Sequence, residues 1–138
     1  MRTIQATEAK QIGAILDFVH DRSFEPSKIR FDEKSKVLSI PLTVISDEVR
    51  GARKIFVLRT WKHPVVEATL LIKNVISYSV KDDAQIDEGI INTIVLENGE
   101  VVIKCSVPVT VRAAVSHPEI VLSLSDTVVS SKTQFALS

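Results

Sequence analysis

The chain has 138 residues, with 17 basic and 17 acidic side chains in balance, so no overall field favours nucleic acid or an anionic membrane. Its one cysteine, Cys105, excludes an intramolecular disulfide and suits a reducing compartment. No window approaches 18 uninterrupted apolar residues, and the first residues carry Glu8 and Gln11 where a secretory leader needs an apolar run. A single domain, 1–138, in the cytoplasm is the expectation, long enough to bury a core without staples. Valine and isoleucine are abundant and aromatic residues few, and side chains branched at Cβ pack well on pleated surfaces.

The first expected element is an amphipathic helix over 7–22. Thr7 stands at its cap, Glu8 complements the positive end of the dipole, and Ile12, Ile15, Leu16 and Val19 recur at helical spacing. Pro26 is expected to stop it near Arg22. A β-rich body then runs over 28–126. Ile29 and Phe31 alternate with Lys28 and Arg30, and Asp32-Glu33-Lys34-Ser35 makes a polar turn. Leu38, Ile40, Leu42 and Val44 face inward in the next strand, where Pro41 removes a ladder donor and predicts an edge or a bulge. Ser46–Lys54 reads as a polar loop. Two strands, Ile55–Trp61 and Val65–Lys73, are joined through His63-Pro64, the second pointing Val66, Ala68, Leu70 and Ile72 inward. Ile76, Tyr78 and Val80 continue the pattern, and Asp82–Gly89 is an acidic loop.

The firmest signal is Ile90–Val111. Asn98-Gly99 is the pair that best tolerates a two-residue type I′ turn, so partners have numbers that sum to 197. That register places Leu96 with Val101, Ile94 with Ile103, Asn92 with Cys105 and Ile90 with Val107 on a core face. Val95–Val102, Thr93–Lys104 and Ile91–Ser106 lie on the other. Cys105 then sits on the core side, as a packer rather than a nucleophile. Val109, Val111, Ala113 and Val115 extend the second strand, with Pro108 marking another edge or bulge. Ile120, Leu122 and Leu124 point inward from a last strand over Glu119–Asp126, and 127–138 reads as a loose tail. The expected class is α+β: one N-terminal helix packed on a curved, mostly antiparallel sheet or half-barrel of about eight strands.

Chemistry-bearing residues are sparse. His20 at the helix end invites a metal or general-base role with Asp17 or Asp21, and Asp17, three residues away on a helix, is the better placed partner. A histidine favoured by the negative end of the helix explains the same residues without chemistry. His63 and His117 precede prolines, and nothing in the sequence brings them to His20. Asp82, Asp83, Asp87 and Glu88 have calcium-binding composition but lack the alternating ligands, glycine and terminal glutamate of an EF-hand loop. Arg50, Arg53, Lys54, Arg59 and Lys62, interleaved with Phe56 and Trp61, form the most basic stretch. There is no phosphate-cradling glycine loop and no nucleophile elbow.

The order Phe18-Val-His-Asp21, Ile29-Arg-Phe-Asp32, Val37-Leu-Ser-Ile40, Ile72-Lys-Asn-Val75 and Ile91-Asn-Thr93 resembles a group of small, mostly uncharacterised bacterial β-rich proteins, some thought to be immunity proteins. The full N-terminal helix and Pro41 depart from that pattern. The resemblance implies a compact bacterial β-rich module and carries over no catalytic residue. The expectation is a non-catalytic module that binds an unknown protein partner or itself as a homo-oligomer. Trp61, Arg59, Arg53, Asp82 and Asp83 are its candidate contact residues, with no catalytic residue, metal, cofactor, nucleic acid or membrane involved. The alternative is a small metal-binding protein or hydrolase built on His20 with Asp17 or Asp21.

Overall fold

The computed structural model of the chain describes residues 2–47, 50–55, 58–106 and 109–137, with side chains described for 2–47, 63–106 and 109–130. These residues form a mostly antiparallel sheet with one short helix. The strands are β1 (Arg2–Ala6), β2 (Ser23–Phe24), β3 (Arg30–Asp32), β4 (Val37–Ile45), β5 (Arg50–Ile55), β6 (Leu58–Ile72), β7 (Val75–Asp82), β8 (Gly89–Glu97), β9 (Glu100–Cys105), β10 (Val109–Val115) and β11 (Ile120–Leu137). Their hydrogen-bonded order is β1-β11-β6-β4-β2-β8-β9-β10-β7, with β3 added to β4 and β5 to β6. The path is open, so the sheet is not a barrel, and it holds eleven strands among the described residues where about eight were expected. The two-residue β2 joins the two halves, pairing Phe24 with Leu42 of β4 and with Gly89 of β8.

Alternation in the sequence decides which faces meet. Leu38, Ile40, Leu42 and Val44 of β4 are buried, as are Val66, Ala68, Leu70 and Ile72 of β6 and Ile120, Leu122 and Leu124 of β11. From the other half come Ile94, Ile103, Val109, Val111, Ala113 and Val115, in the same apolar cluster. The sheet therefore folds back at β2 so that its two halves share one core. Val75 N–H donates to Lys36 O (2.9 Å) and Tyr78 packs on Phe31 with ring centroids 5.2 Å apart, which ties the free edge of β7 to the β3–β4 turn.

The helix α1 (Ile12–Val19) is shorter than the expected 7–22, and a 3₁₀ turn over Ala9–Gln11 precedes it. Thr7 is not its cap. Gln11 Oε1 instead accepts from the N–H groups of Thr7 (2.8 Å) and Glu8 (3.2 Å), while Gln11 N–H donates to Glu8 O. The end is set by Asp21 at φ 63° rather than by Pro26. That left-handed residue turns the chain so that Asp21 N–H reaches Ile91 O (2.8 Å) and Arg22 O receives Ile91 N–H (3.0 Å). Ile12, Ile15 and Val19 are buried, so the apolar stripe does face the core.

The hairpin of β8 and β9 turns at Asn98 (φ 51°) and Gly99 (φ 74°), as a type I′ turn requires. Its register follows the expected sum from Glu97–Glu100 to Thr93–Lys104. Beyond that, Ile91 rather than Asn92 pairs with Cys105, so Asn92 is the extra residue of a bulge. Strict alternation would carry the Asn92 amide into the core. The bulge leaves it in solvent and buries Ile91 instead, with Ile90 half-buried. Val109, Val111, Ala113 and Val115 do not extend β9: they form β10, which returns antiparallel beside it with Val111 opposite Ile103, and Val107 and Pro108 lie outside the described residues.

Further expectations are corrected. β4 is central, not an edge, and continuous through Pro41. β6 likewise runs without a turn through Pro64. Both prolines sit where the strand changes partner. Pro41 falls between the pairings of β4 with β3, which end at Ser39, and with β2, at Leu42. At Pro41 the missing N–H costs nothing, because no neighbour is present there to receive it. Pro64 instead faces Ser46, whose N–H donates to Pro64 O (2.8 Å) and whose carbonyl lies 3.2 Å from His63 Nδ1 in place of the missing donor. Ser46–Lys54 is not all loop, since Arg50–Ile55 is a strand, and Arg2–Ala6 is a strand that pairs with β11. Residues 127–137 are not a loose tail: the backbone of β11 pairs with β6 as far as Leu137. Ile76 and Tyr78 do not point inward; they are 67% and 44% exposed on β7, the last strand of the path.

Candidate functional site

Beyond the Val65–Ile45 pair, β6 leaves β4 and continues as the middle strand of a three-stranded arm between β5 and β11. Seven residues of extended strand, from Leu58 to Pro64, make an arm roughly 23 Å long. Three of the five candidate contact residues lie on it: Arg53 pairs with Thr60, Arg59 with Lys54 and Ala136, and Trp61 with Gln134. Their side chains lie outside the described residues. The arm's backbone nevertheless gathers Arg50, Arg53, Lys54, Arg59, Lys62 and Lys132 without one carboxylate among 50–62 and 127–137. That leaves eleven basic residues against all 17 acidic ones on the rest of the chain. A neutral chain is thus divided into a basic arm and an acidic body. In the backbone register Lys54 is the partner of Arg59 and Arg50 of Lys62.

Asp82 and Asp83 are not part of this arm. They close β7, where Asp82 Oδ2 accepts from Asp87 N–H (3.1 Å) and Asp82 Oδ1 is buried with no partner among the described residues. Asp83 lies 3.7 Å from Lys81 in an exposed pair that contributes little. Asp87 is a structural tether. Its Oδ2 accepts from Ser27 Oγ (2.6 Å) and its Oδ1 from Ser27 N–H (2.8 Å). The hydroxyl bond first, then the amide bond, hold the Asp87 carboxyl below its ordinary 3.8. A carboxyl depressed in the folded state stabilises it at pH above the ordinary value and loses that contribution as pH falls through the depressed one. The Ser27 amide resonance is therefore expected to titrate with a midpoint below 3.8, and Asp87→Asn to abolish the titration. A midpoint at or above 3.8 would contradict the tether.

This loop forms one wall of an open cleft of about 800 Å³. Its apolar part is Phe24, Leu42 and Ile86, the last 56% exposed. Around them stand Glu25, Glu67 and Glu88, all exposed. Glu25 is 3.6 Å from Lys28, while no hydrogen bond or ion pair engages Glu67 or Glu88 among the described residues. Glu67 projects from the outer face of β6 because its neighbours Val66 and Ala68 take the core face. The sequence reading missed the cleft because its residues are scattered between 23 and 88. The one legible signal was Glu67, a lone carboxylate in an apolar strand.

The histidines do not converge. His63 pairs with Lys132 on β6, whereas His117 precedes the Ile120–Ile72 pair at the other end of that ribbon, nine strand residues or roughly 30 Å away. His63 Nδ1 is 3.2 Å from Ser46 O. His20 Nδ1 is 3.3 Å from Asp21 Oδ2 rather than paired with Asp17, because the helix has already ended. No group of three His, Cys, Asp or Glu with metal-binding geometry occurs among the described residues. Cys105 packs half-buried against the core, and burial pushes its thiol up from 9.0 to about 11. At neutral pH it is a protonated packing group.

At the base of the arm Arg2 bonds Asp47 (2.7 Å) and lies 5.4 Å from the centre of the Phe18 ring. The guanidinium holds the Asp47 carboxyl below its ordinary range. No helix among the described residues is long and apolar enough to cross a membrane. Compared with protein-family models, curated proteins and solved structures, the chain has no significant match.

Proposed function

We propose that the protein is a non-catalytic, cytoplasmic binding or assembly module that engages a protein partner through the β5–β6–β11 arm. The observation that carries this reading is the arm itself, a continuation of the sheet past the last β4 pair that collects six basic residues, Trp61 and no carboxylate. Arginine and tryptophan are the side chains that most often dominate binding energy at protein interfaces. Regular strand backbone also holds contact residues in register better than a loop does. The absence of a disulfide framework suits a reducing compartment. The resemblance to immunity-type proteins leads to the same class of partner.

Lysine cross-linking of the full chain in an extract of its own cells tests the reading. Intermolecular links are expected to concentrate on Lys54, Lys62 and Lys132, and to fall at least several-fold in an Arg53→Glu/Arg59→Glu variant that keeps its circular dichroism. Links spread evenly over Lys10, Lys28, Lys104 and the arm would defeat it.

A further inference from the structure

We infer that β7 is a further interaction surface, whose open edge pairs antiparallel with β7 of a second copy of this chain. The inference concerns the last strand of the path and does not rest on the arm. The first argument is an edge without a neighbour. Val115 N–H donates to Gly99 O on the β9 side, so alternation along β10 turns the backbone groups of Thr110, Arg112 and Ala114 toward β7. Their register partners Lys81, Ser79 and Ser77 face them, which leaves the N–H and C=O groups of Tyr78 and Val80 on the outer side. No backbone group among the described residues bonds them there. Val75 N–H is taken by Lys36 O, and Asp82 O accepts from Gln85 N–H (3.1 Å), so the open edge runs from Ile76 to Val80.

The second argument is that nothing guards this edge. Natural sheets place charges on their terminal strands to prevent pairing with another chain. β1, at the other end of the path, exposes Arg2, and β3 exposes Arg30 and Asp32. Ile76–Val80 holds no charge and no proline. Ile76 is the extra residue of a bulge, without a partner on β10, and it and Tyr78 are both exposed.

The third argument is self-complementarity, which names the occupant. Ile76-Ser-Tyr-Ser-Val80 reads alike in both directions about Tyr78, with isoleucine and valine as equivalents. A twofold axis at Tyr78 therefore sets Tyr78 against Tyr78 of the second copy, Ser77 against Ser79, and Ile76 against Val80. Tyr78 and Val80 lie on the face that packs against Phe31 and the core, so the apolar rows of the two copies meet there. The exposed serines meet on the other face. A slip of one residue sets Ser77 against Val80, and a slip of two sets Ile76 against Asp82, so only the centred register matches. The contact is isologous and uses up both edges, so assembly stops at a dimer.

Sedimentation and amide hydrogen exchange of the full chain test this. Wild-type protein is expected to pass from 15.3 kDa toward twice that mass as concentration rises, with exchange at Tyr78 and Val80 slowing in step. Ser77→Lys/Ser79→Lys and Ser77→Glu/Ser79→Glu alter exposed side chains, so folding is expected to survive. In either variant like charges meet twice across the contact, and the dissociation constant should rise roughly tenfold. Mixed in equal amounts, the two variants set lysine against glutamate and should dimerise at least as tightly as wild type. Arg53→Glu/Arg59→Glu alters the arm alone and should dimerise like wild type. A wild type that stays at 15.3 kDa, a mixture that does not combine, or a dimer kept in both serine variants and lost in the arm variant would each overturn the inference. A monomeric wild type whose Tyr78 and Val80 amides slow only in cell extract would overturn the second copy in favour of an extended segment of another protein.

Discussion

Shortening Leu70 to alanine is expected to cost about 2–5 kcal/mol of unfolding free energy, read as a lower denaturant midpoint at unchanged slope. Leu70 is 0% exposed in the middle of β6, with Ile40 of β4 and Leu122 of β11 as its register partners, both also 0% exposed. The three residues meet across a central strand that is held on both sides by long ladders, so the backbone has little freedom to collapse into the space left behind. The loss therefore includes the cavity as well as the transfer of the missing atoms. Leu71 is the control. It lies on the opposite face, half-buried, and Leu71→Ala should cost about 1 kcal/mol or less. Equal costs at 70 and 71 would mean that the faces of β6 have been assigned wrongly, and with them Glu67 and the cleft.

Gly89→Ala is the second large effect, about 1–3 kcal/mol. A Cβ on Gly89 would stand 2.8 Å and 2.9 Å from two ring carbons of Phe24 and 3.3 Å from Val109 Cγ1. The ring is its direct register partner on β2 and is 3% exposed, so it has no free space into which to turn. The position matters beyond its own contacts, because β2 is the two-residue strand through which the halves of the sheet are joined. A smaller side chain at 24 should relieve the clash. Gly89→Ala/Phe24→Leu is expected to be less destabilised than the sum of the two single variants, by about 0.5–3 kcal/mol in a double-mutant cycle. Strict additivity would show that something other than this contact excludes a side chain at 89.

What was legible in advance followed from period and turn chemistry. The alternation of β4, the second part of β6 and the first part of β11 identified their buried faces, and Asn98-Gly99 identified the central hairpin and its register near the turn. These signals are local: a side-chain period of two and a pair of residues that tolerate positive φ are present in the sequence whatever the chain does elsewhere. The misreadings share one cause, which is that they depend on a distant neighbour. A proline removes a donor, and this predicts breaks at Pro41 and Pro64. Whether the donor is needed depends on the neighbouring strand: Pro41 falls in a gap between β3 and β2, and opposite Pro64 the Ser46 carbonyl lies beside His63 Nδ1 instead. The bulge at Asn92 and the early end of the helix at Asp21 arise from one long-range contact, the mutual bonding of Asp21 and Arg22 with Ile91.

The candidate site was half legible for the same reason. Arg53, Arg59 and Trp61 read as a group because they are close in sequence. Asp82 and Asp83 read as a second patch of the same surface, and the structure gives them separate work at the end of β7. The carboxylates that line the cleft belong to three distant segments, and Lys132 joins the arm only because β11 extends along β6. By itself the sequence determined which residues form most of the strands, which of their faces are apolar, and that the total charge is zero. Only the tertiary structure decided how that charge is distributed, because strand pairing places residues 50–62 beside 127–137 and folds the glutamates into the other part of the molecule. Net charge is a sum and carries no positions; the ladder hydrogen bonds supply them.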